Sequence, residues 1–196
     1  MIHLKIQNIF IALIVILVCG TSYGQVEIRG KVISDISKDS PWYGYYIKPN
    51  INEHPTSFPD ASGEYVIEFL EPNKEYEIIV TAPGYQDKLL SIKTNDSITY
   101  KAIEIKAICE YDSAKAEYDW ENEQAQFLLI GSIAPIANTR SDNRFEEKYN
   151  IEYYDFGCMM PNYECIELYN QRMAQLMDER FGKKWRKKAR TDIIGI

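Results

Sequence analysis

The chain contains 196 residues, of which 45% are hydrophobic, and it carries a formal net charge of −7 at neutral pH. This length accommodates one domain or two small ones. The acidic balance argues against nucleic acid as a partner, because phosphate backbones are bound by clusters of Lys and Arg, and solubility accounts for the charge.

Residues 1–24 form a predicted secretory signal peptide. Lys5 provides a positive start, residues 9–18 are an unbroken apolar run, and small residues precede a cleavage site before Gln25. The apolar run is shorter than the roughly 20 residues that a membrane-spanning helix needs, although a retained anchor is the alternative. We therefore expect export to the periplasm or the extracellular space, with Gln25 as the mature N-terminus.

The cysteines fit an exported protein, and the sequence leaves their pairing open. Cys19 raises a lipoprotein alternative, in which lipid modifies a new N-terminal cysteine, but Val18 stands where the processing enzyme normally requires a small residue. Cys109, Cys158 and Cys165 remain after processing, so one thiol is free or pairs with another chain. Because Cys158 and Cys165 lie close in sequence, they are the disulfide candidate, although spacing does not give the Cα separation that a disulfide needs.

The segment after the signal peptide has the pattern of an all-β domain. Apolar residues alternate in short runs that are separated by turn residues, which predicts six or seven strands and a sandwich or a barrel. The runs lie at residues 26–32, 43–47, 65–69, 76–80, 90–92 and 98–105. The predicted fold class is therefore α+β, with an antiparallel β-sandwich of about seven strands over residues 25–108 and a small α/β domain over residues 109–196.

The same segment resembles the carboxypeptidase regulatory-like domain, a transthyretin-like sandwich. The resemblance is carried by Gly30-Lys-Val32, by Thr56 through Gly63 and Tyr65, and by Pro83-Gly84-Tyr85. After Pro41 the chain departs from the family pattern, because aromatic residues replace a small-residue strand start. The resemblance implies an accessory module of the kind found with peptidases, surface proteins and outer-membrane receptors, without catalytic activity.

An aromatic cluster follows Pro41 and is a candidate ligand surface. It consists of Trp42, Tyr43, Tyr45 and Tyr46. Strand alternation would place Tyr43 and Tyr45 on one face and the other two off it, so packing in the core is the favoured interpretation. His54 is the only histidine after the signal peptide, which excludes a His-rich zinc site, and the sequence predicts neither a metal nor a cofactor.

The C-terminal part reads as helix, strand, helix, strand and helix. The predicted elements are an acidic helix at 110–123, a strand at 125–130, a short helix capped by Ser141 or Asp142, a strand at 151–156, a long amphipathic helix from Pro161 to Gly182, and a last short helix around Trp185. Two strands are too few for an independent sheet, so we expect them to lean on the sandwich or extend its edge. Residues 145–158, Tyr169-Asn170 and 181–185 resemble the tail of uncharacterised exported bacterial proteins, which implies kinship and no particular activity.

Cys158 is the one candidate for chemistry. It follows a predicted strand and Gly157, and a nucleophilic cysteine needs a base to form its thiolate. His54 belongs to the other module and would have to reach across to it. A structural role for Cys158 is therefore favoured over a catalytic one.

A basic run near the C-terminus is a candidate contact with anionic lipid or polysaccharide. It comprises Arg180, Lys183, Lys184, Arg186, Lys187, Lys188 and Arg190. Cations also suit the end of a helix and can pair with the acidic segment at 110–123, so a solvated or internally paired face is favoured over peripheral membrane contact.

Together these features predict an exported, non-enzymatic binding or structural module of the cell envelope, whose partner is an envelope protein or a polysaccharide. A cysteine-dependent enzyme or thiol-redox protein centred on Cys158 is one alternative. An accessory or inhibitory subunit of an exported enzyme is the other.

Overall fold

A computed structural model of the chain describes residues 26–49, 55–131, 139–159 and 161–196. The predicted signal peptide, Cys19 and His54 lie outside these residues. The described residues contain nine β-strands, three α-helices and one 3-10 helix, which is the mixed composition of an α+β protein. No helix among them is both long enough and apolar enough to cross a membrane.

Two β-sheets are built from the first seven strands. The strands are β1 Val26–Ser34, β2 Tyr46–Pro49, β3 Glu64–Leu70, β4 Glu75–Thr81, β5 Lys88–Lys93, β6 Ile98–Tyr100 and β7 Ile103–Ile105. In the first sheet β3 pairs with one edge of β1, while β6 and β7 pair with its other edge; the second sheet has the order β2-β4-β5. Side chains from both sheets form one hydrophobic cluster, so the sheets face each other across a common core.

The first sheet is mixed, which corrects the prediction of purely antiparallel pairing. The pairs β1–β3, β2–β4 and β4–β5 are antiparallel, but β1 pairs with β6 and with β7 in parallel. The connection after β5 crosses from the second sheet to the first, and it brings β6 alongside β1 in the same direction. Alternation within a strand cannot reveal this, because it fixes the buried face and says nothing about strand direction.

Gly30 allows a close backbone approach inside the first sheet. A Cβ atom at Gly30 would lie 1.9 Å from the carbonyl oxygen of Lys101. The Tyr65 hydroxyl donates to the same oxygen at 2.8 Å, and the Lys101 N–H donates to the carbonyl of Arg29 at 2.7 Å. Position 30 of the Gly30-Lys-Val32 motif therefore requires glycine, because the backbone of Lys101 occupies the space that a side chain would need.

The C-terminal part has its own hydrophobic core and its own small sheet. Its elements are α1 Ser113–Glu121, β8 Gln126–Leu129, α2 Arg140–Tyr149, β9 Glu152–Asp155, α3 Tyr163–Phe181 and the 3-10 helix Lys183–Lys187. β8 and β9 pair in parallel through the α2 connection, and in the described residues they join neither of the first two sheets. The expectation that β8 and β9 extend an edge of the first two sheets is therefore wrong. Helices of the C-terminal part pack against the two strands instead.

The ends of α2 and α3 differ in detail from the predicted caps. Thr139, and neither Ser141 nor Asp142, is the N-cap of α2: its side chain accepts the Asp142 N–H, and the Asp142 carboxylate accepts the Thr139 N–H at 2.8 Å. This reciprocal pair is a capping box. Gly182 ends α3 with a φ of +66° and a ψ of 164°, so its φ is positive, but it does not adopt the left-handed αL conformation predicted for it.

The side chain of Asn170 stabilises the two-stranded sheet by hydrogen-bonding to β8. Asn170 is fully buried on α3, where its Oδ1 accepts the Leu128 N–H at 2.9 Å. Its Nδ2 donates to the Leu128 carbonyl at 2.9 Å and to the Ile194 carbonyl at 3.1 Å. The amide thus satisfies the edge of β8 as a third strand would, and it also holds the C-terminal tail.

Candidate functional site

The first turn of α3 joins the C-terminal part to the β-sheets. Asn162 caps the helix by accepting the N–H groups of Glu164 and Cys165 at 3.0 and 3.3 Å. The Nδ2 of Asn162 also donates to the Gly84 carbonyl at 2.9 Å. One side chain therefore both starts the helix and attaches it to the turn that precedes Tyr85.

A buried carboxylate makes the second attachment at this junction. Glu164 accepts hydrogen bonds from the Ser34 hydroxyl and, at 2.6 Å, from the Ser37 hydroxyl. Its position in the first turn of α3 also favours a negative charge through the helix dipole. Burial raises the pKa of the neighbouring Tyr85 hydroxyl, to which Ser34, Asn162 and Glu164 lie close. Two hydroxyl donors compensate for the water that the buried carboxylate loses.

A disulfide makes the third attachment, and it corrects the predicted pairing. Cys165 is bonded to Cys109, with a Cα–Cα separation of 5.4 Å, and Cys158 is a free, exposed cysteine. The predicted Cys158–Cys165 bond does not form because Cys158 lies in the turn after β9, whereas Cys165 in α3 faces the segment that follows β7. Proximity in sequence is therefore a poor guide to Cα separation here.

The four aromatic residues after Pro41 lie in different environments and do not form a single strip. Tyr45 is a core residue whose hydroxyl donates to the Gly63 carbonyl at 2.7 Å, and burial raises its pKa to about 12. Tyr43 is half-buried, and Tyr46 is partly exposed against Phe58, with 6.3 Å between ring centroids. Burial follows the predicted grouping, since Tyr43 and Tyr45 are more buried than Trp42 and Tyr46. The four residues do not lie on one strand, however, because Gly44 turns the chain with a φ of +77° and β2 begins at Tyr46.

Trp42 is the exposed aromatic residue at the junction. It is 68% exposed, and its ring stacks on Tyr163 of α3 with centroids 4.5 Å apart and planes 12° apart. Sequence analysis missed this contact because Tyr163 lies far from Trp42 along the chain and carries no local signal of its own. The stacked pair presents a flat, rigid aromatic surface to solvent, which suits a ring or an apolar side chain of a partner.

A small cavity of about 250 Å³ lies beside the disulfide. Its wall includes Ile108, Tyr111, Phe156, Pro161 and Cys165. Ile108 is 56% exposed, and burial raises the pKa of the Tyr111 hydroxyl. Glu110 and Asn162 also line the cavity, but its wall is mostly apolar and fits an aliphatic or aromatic group.

Chemical candidates outside the junction are few in the described ranges. Cys158 is exposed beside Met159, and His54, the base considered for it, lies outside the described residues. The part of the chain that the structure describes contains no group of three or more His, Cys, Asp or Glu arranged to hold a metal ion.

The basic run divides into paired arginines and exposed lysines. Arg186 contacts Asp178 at 2.9 Å, and Arg190 contacts Asp142 at 3.2 Å and Asp192 at 2.6 Å. Hydrogen bonds from Arg186 and Trp185 lower the pKa of the Asp178 carboxyl. The lysines of the run are exposed. The expected pairing with the acidic segment is wrong for Arg186 and Arg190, whose partners lie elsewhere. Arg180, the third arginine of the run, is exposed, and its Cζ lies 5.4 Å from the ring centroid of Trp120 in that segment. Glu117 of the segment pairs with Arg172.

Comparisons with known proteins give distant structural matches only. No family model matches the chain. No curated protein matches it either. Among solved structures, a cohesin–X-dockerin complex from Acetivibrio cellulolyticus matches 41% of this chain at 14% identity and a TM-score of 0.35. A minor pilin of Streptococcus agalactiae matches 44% at 16% identity and 0.32, and a DUF3823 family protein from Bacteroides ovatus matches 42% at 12% identity and 0.33.

The matched parts span 57%, 46% and 45% of those three chains, which is less than two thirds of each. TM-scores of this size do not establish a common fold. The chain is similar to parts of these three proteins, and no family follows from the similarity.

Proposed function

We propose that this chain is an exported, non-enzymatic module of the cell envelope that binds or positions a partner. In this proposal residues 25–108 form a β-sandwich of the carboxypeptidase regulatory-like kind and residues 109–196 form a small α/β domain. The partner is an envelope protein or a polysaccharide, and residues 1–24 direct export with Gln25 as the mature N-terminus.

The observation that carries the proposal is the junction at the start of α3. A disulfide, a buried carboxylate with two hydroxyl donors and an Asn162 cap all act within the first turn of the helix. Disulfides persist in oxidising compartments, which supports export. Three attachments within one turn hold the two parts in a fixed orientation, as a scaffold or a two-part binding surface requires.

Trp42 is the residue that we assign to partner binding at this junction. Its ring is exposed yet held in place by Tyr163, so little conformational entropy is lost when a partner packs on it. Large, rigid aromatic side chains are typical centres of binding surfaces.

Sedimentation of the purified mature protein with isolated envelope fractions tests the proposal. We expect binding to the native protein and a loss of about tenfold in affinity for Trp42→Ala, the cost of one aromatic anchor. Tyr100→Ala removes an equally exposed aromatic residue, 70% exposed on β6, and serves as the matched control. Absence of binding by the native protein, or equal losses in the two variants, would refute the assignment.

One observation favours a second candidate, a thiol-redox protein centred on Cys158. This thiol is free and exposed, and it lies two residues along the chain from Phe156, which lines the cavity beside the disulfide. Measured rates of thiol labelling decide between the candidates. A rate like that of a small-molecule thiol supports the binding module, whereas labelling at least tenfold faster supports a thiolate-based function. Co-purification with an exported enzyme whose activity changes would instead indicate an accessory or inhibitory subunit.

A further inference from the structure

An open groove lies between α2 and the 3-10 helix. It has a volume of about 540 Å³. Its rim carries the cationic side chains of Arg144, Lys148, Lys187 and Lys188, and its floor is formed by Phe145 and Tyr149. We call it the basic groove.

The four cations of the basic groove are not used in the fold. Among the described residues, no carboxylate forms an ion pair with any of them, whereas Arg186 and Arg190 nearby are both paired with aspartates. Lys148 lies over the ring of Tyr149, with its Nζ 5.1 Å from the centroid. Four like charges that face one groove repel one another and are exposed to solvent counterions, so an anionic occupant would be favoured.

The cations and the carboxylates of α2 line two different grooves. Arg144 and Lys148 lie one turn apart on the basic side. Glu146 and Glu147 line a different groove with Glu123 and Glu152. The basic groove therefore keeps a positive potential within a protein whose net charge is −7.

The floor of the basic groove is rigid. Phe145 and Tyr149 are buried, with ring centroids 4.7 Å apart. Phe145 also packs against Trp185 at 6.3 Å, and Tyr149 meets Phe181 edge-on at 5.1 Å. Trp185 is fixed in turn by its Nε1 hydrogen bond to Asp178 at 2.9 Å. The backbone that bears the four cations is thus preorganised, which lowers the entropic cost of binding.

We infer that the basic groove binds an acidic polysaccharide, with its carboxylate or sulfate groups on the four cations and the sugar chain along the groove. Three of the cations are lysines, which act as point charges for dispersed anions, whereas bidentate recognition of phosphate favours arginine. A concave site admits a chain but not a flat bilayer. This inference rests on the proposed export of the protein and does not involve Trp42.

Titration calorimetry of the mature protein with polygalacturonate and with dextran sulfate tests the inference, with neutral dextran as the control ligand. We expect both polyanions to bind at low salt, neutral dextran not to bind, and affinity to fall steeply as salt rises. Lys187→Gln with Lys188→Gln should weaken binding about tenfold or more, because each cation near an anionic surface contributes substantially to affinity.

A matched double variant, Lys48→Gln with Lys93→Gln, removes the same charge from exposed strand positions and should change affinity less than twofold. Arg144→Gln with Lys148→Gln provides a second test from the other wall of the groove. All four groove cations are at the surface, so circular dichroism should show unchanged folding.

Four outcomes would overturn the inference: absence of polyanion binding at low salt, equal losses in the groove and control variants, preferential binding to phosphatidylglycerol vesicles, or self-association at low salt that Lys187→Gln with Lys188→Gln abolishes. Such self-association would mean that the basic groove binds a second copy of the chain, at the groove lined by Glu123, Glu146, Glu147 and Glu152. Loss of envelope binding in Trp42→Ala with intact polyanion binding would show that the two sites act separately.

Discussion

Replacing Asn170 should destabilise the C-terminal part more than any comparable polar substitution. Asn170→Ala leaves the N–H and the carbonyl of Leu128 without partners in a fully buried site, and it also releases the carbonyl of Ile194. Each unpaired buried polar group costs about 1–3 kcal/mol. Ile194 is only half-buried and can reach water, so the two Leu128 groups set the expected loss at about 2–6 kcal/mol.

Urea unfolding followed by tryptophan fluorescence measures this loss, because Trp120 and Trp185 both belong to the C-terminal core or pack against it. Asn143→Ala, at an exposed position of α2, is the matched control and should change stability by less than about 0.5 kcal/mol. Asn170→Asp keeps the side-chain volume but removes the donor that faces two carbonyls, so it should destabilise at least as much as Asn170→Ala. Equal effects of Asn170→Ala and Asn143→Ala, or a stable Asn170→Asp variant, would refute the strand-mimic account.

Three further predictions concern the disulfide, an acid-sensitive ion pair and a crowded glycine. Cys109→Ser with Cys165→Ser opens a loop with a sequence separation of 56 and should lower the free energy of unfolding by about 4 kcal/mol, measured by denaturant titration; an unchanged midpoint would contradict it. Because the pKa of Asp178 is lower in the fold than in the unfolded chain, its ionised carboxylate stabilises the fold at neutral pH, and this contribution is lost as the pH falls below about 4. Asp178→Asn should therefore make the free energy of unfolding less dependent on pH in that range. Gly30→Ala would place its Cβ 1.9 Å from the carbonyl oxygen of Lys101 and should lower the Tm by several degrees; an unchanged Tm would contradict this.

Features that depend on local pattern could be predicted from the sequence. Alternation identified Tyr76, Ile78 and Val80 as core residues, and all three are buried. The three- and four-residue spacing after Pro161 predicted α3, and the helix ends at Gly182 as expected, with a positive φ. Propensity and periodicity act over a few residues, so a single sequence is enough to reveal them.

Features that join distant parts of the chain could not be predicted. The parallel pairing of β6 with β1, the Cys109–Cys165 bond and the stacking of Trp42 on Tyr163 all depend on where loops place the elements. Asn170 gives no sequence signal, because an amide on a helix becomes a strand mimic only when β8 lies beside it. These contacts depend on the tertiary arrangement of the elements, which the local sequence pattern does not reveal.

The most direct test of the central claim, an exported module clamped by one disulfide, is non-reducing peptide mass mapping of the protein isolated from envelope fractions of cells that produce it. The account predicts an N-terminal peptide that begins at Gln25, a linked peptide pair that contains Cys109 and Cys165, and an alkylated Cys158. Recovery from the cytoplasm with residues 1–24 retained and all three of these thiols alkylated would contradict it.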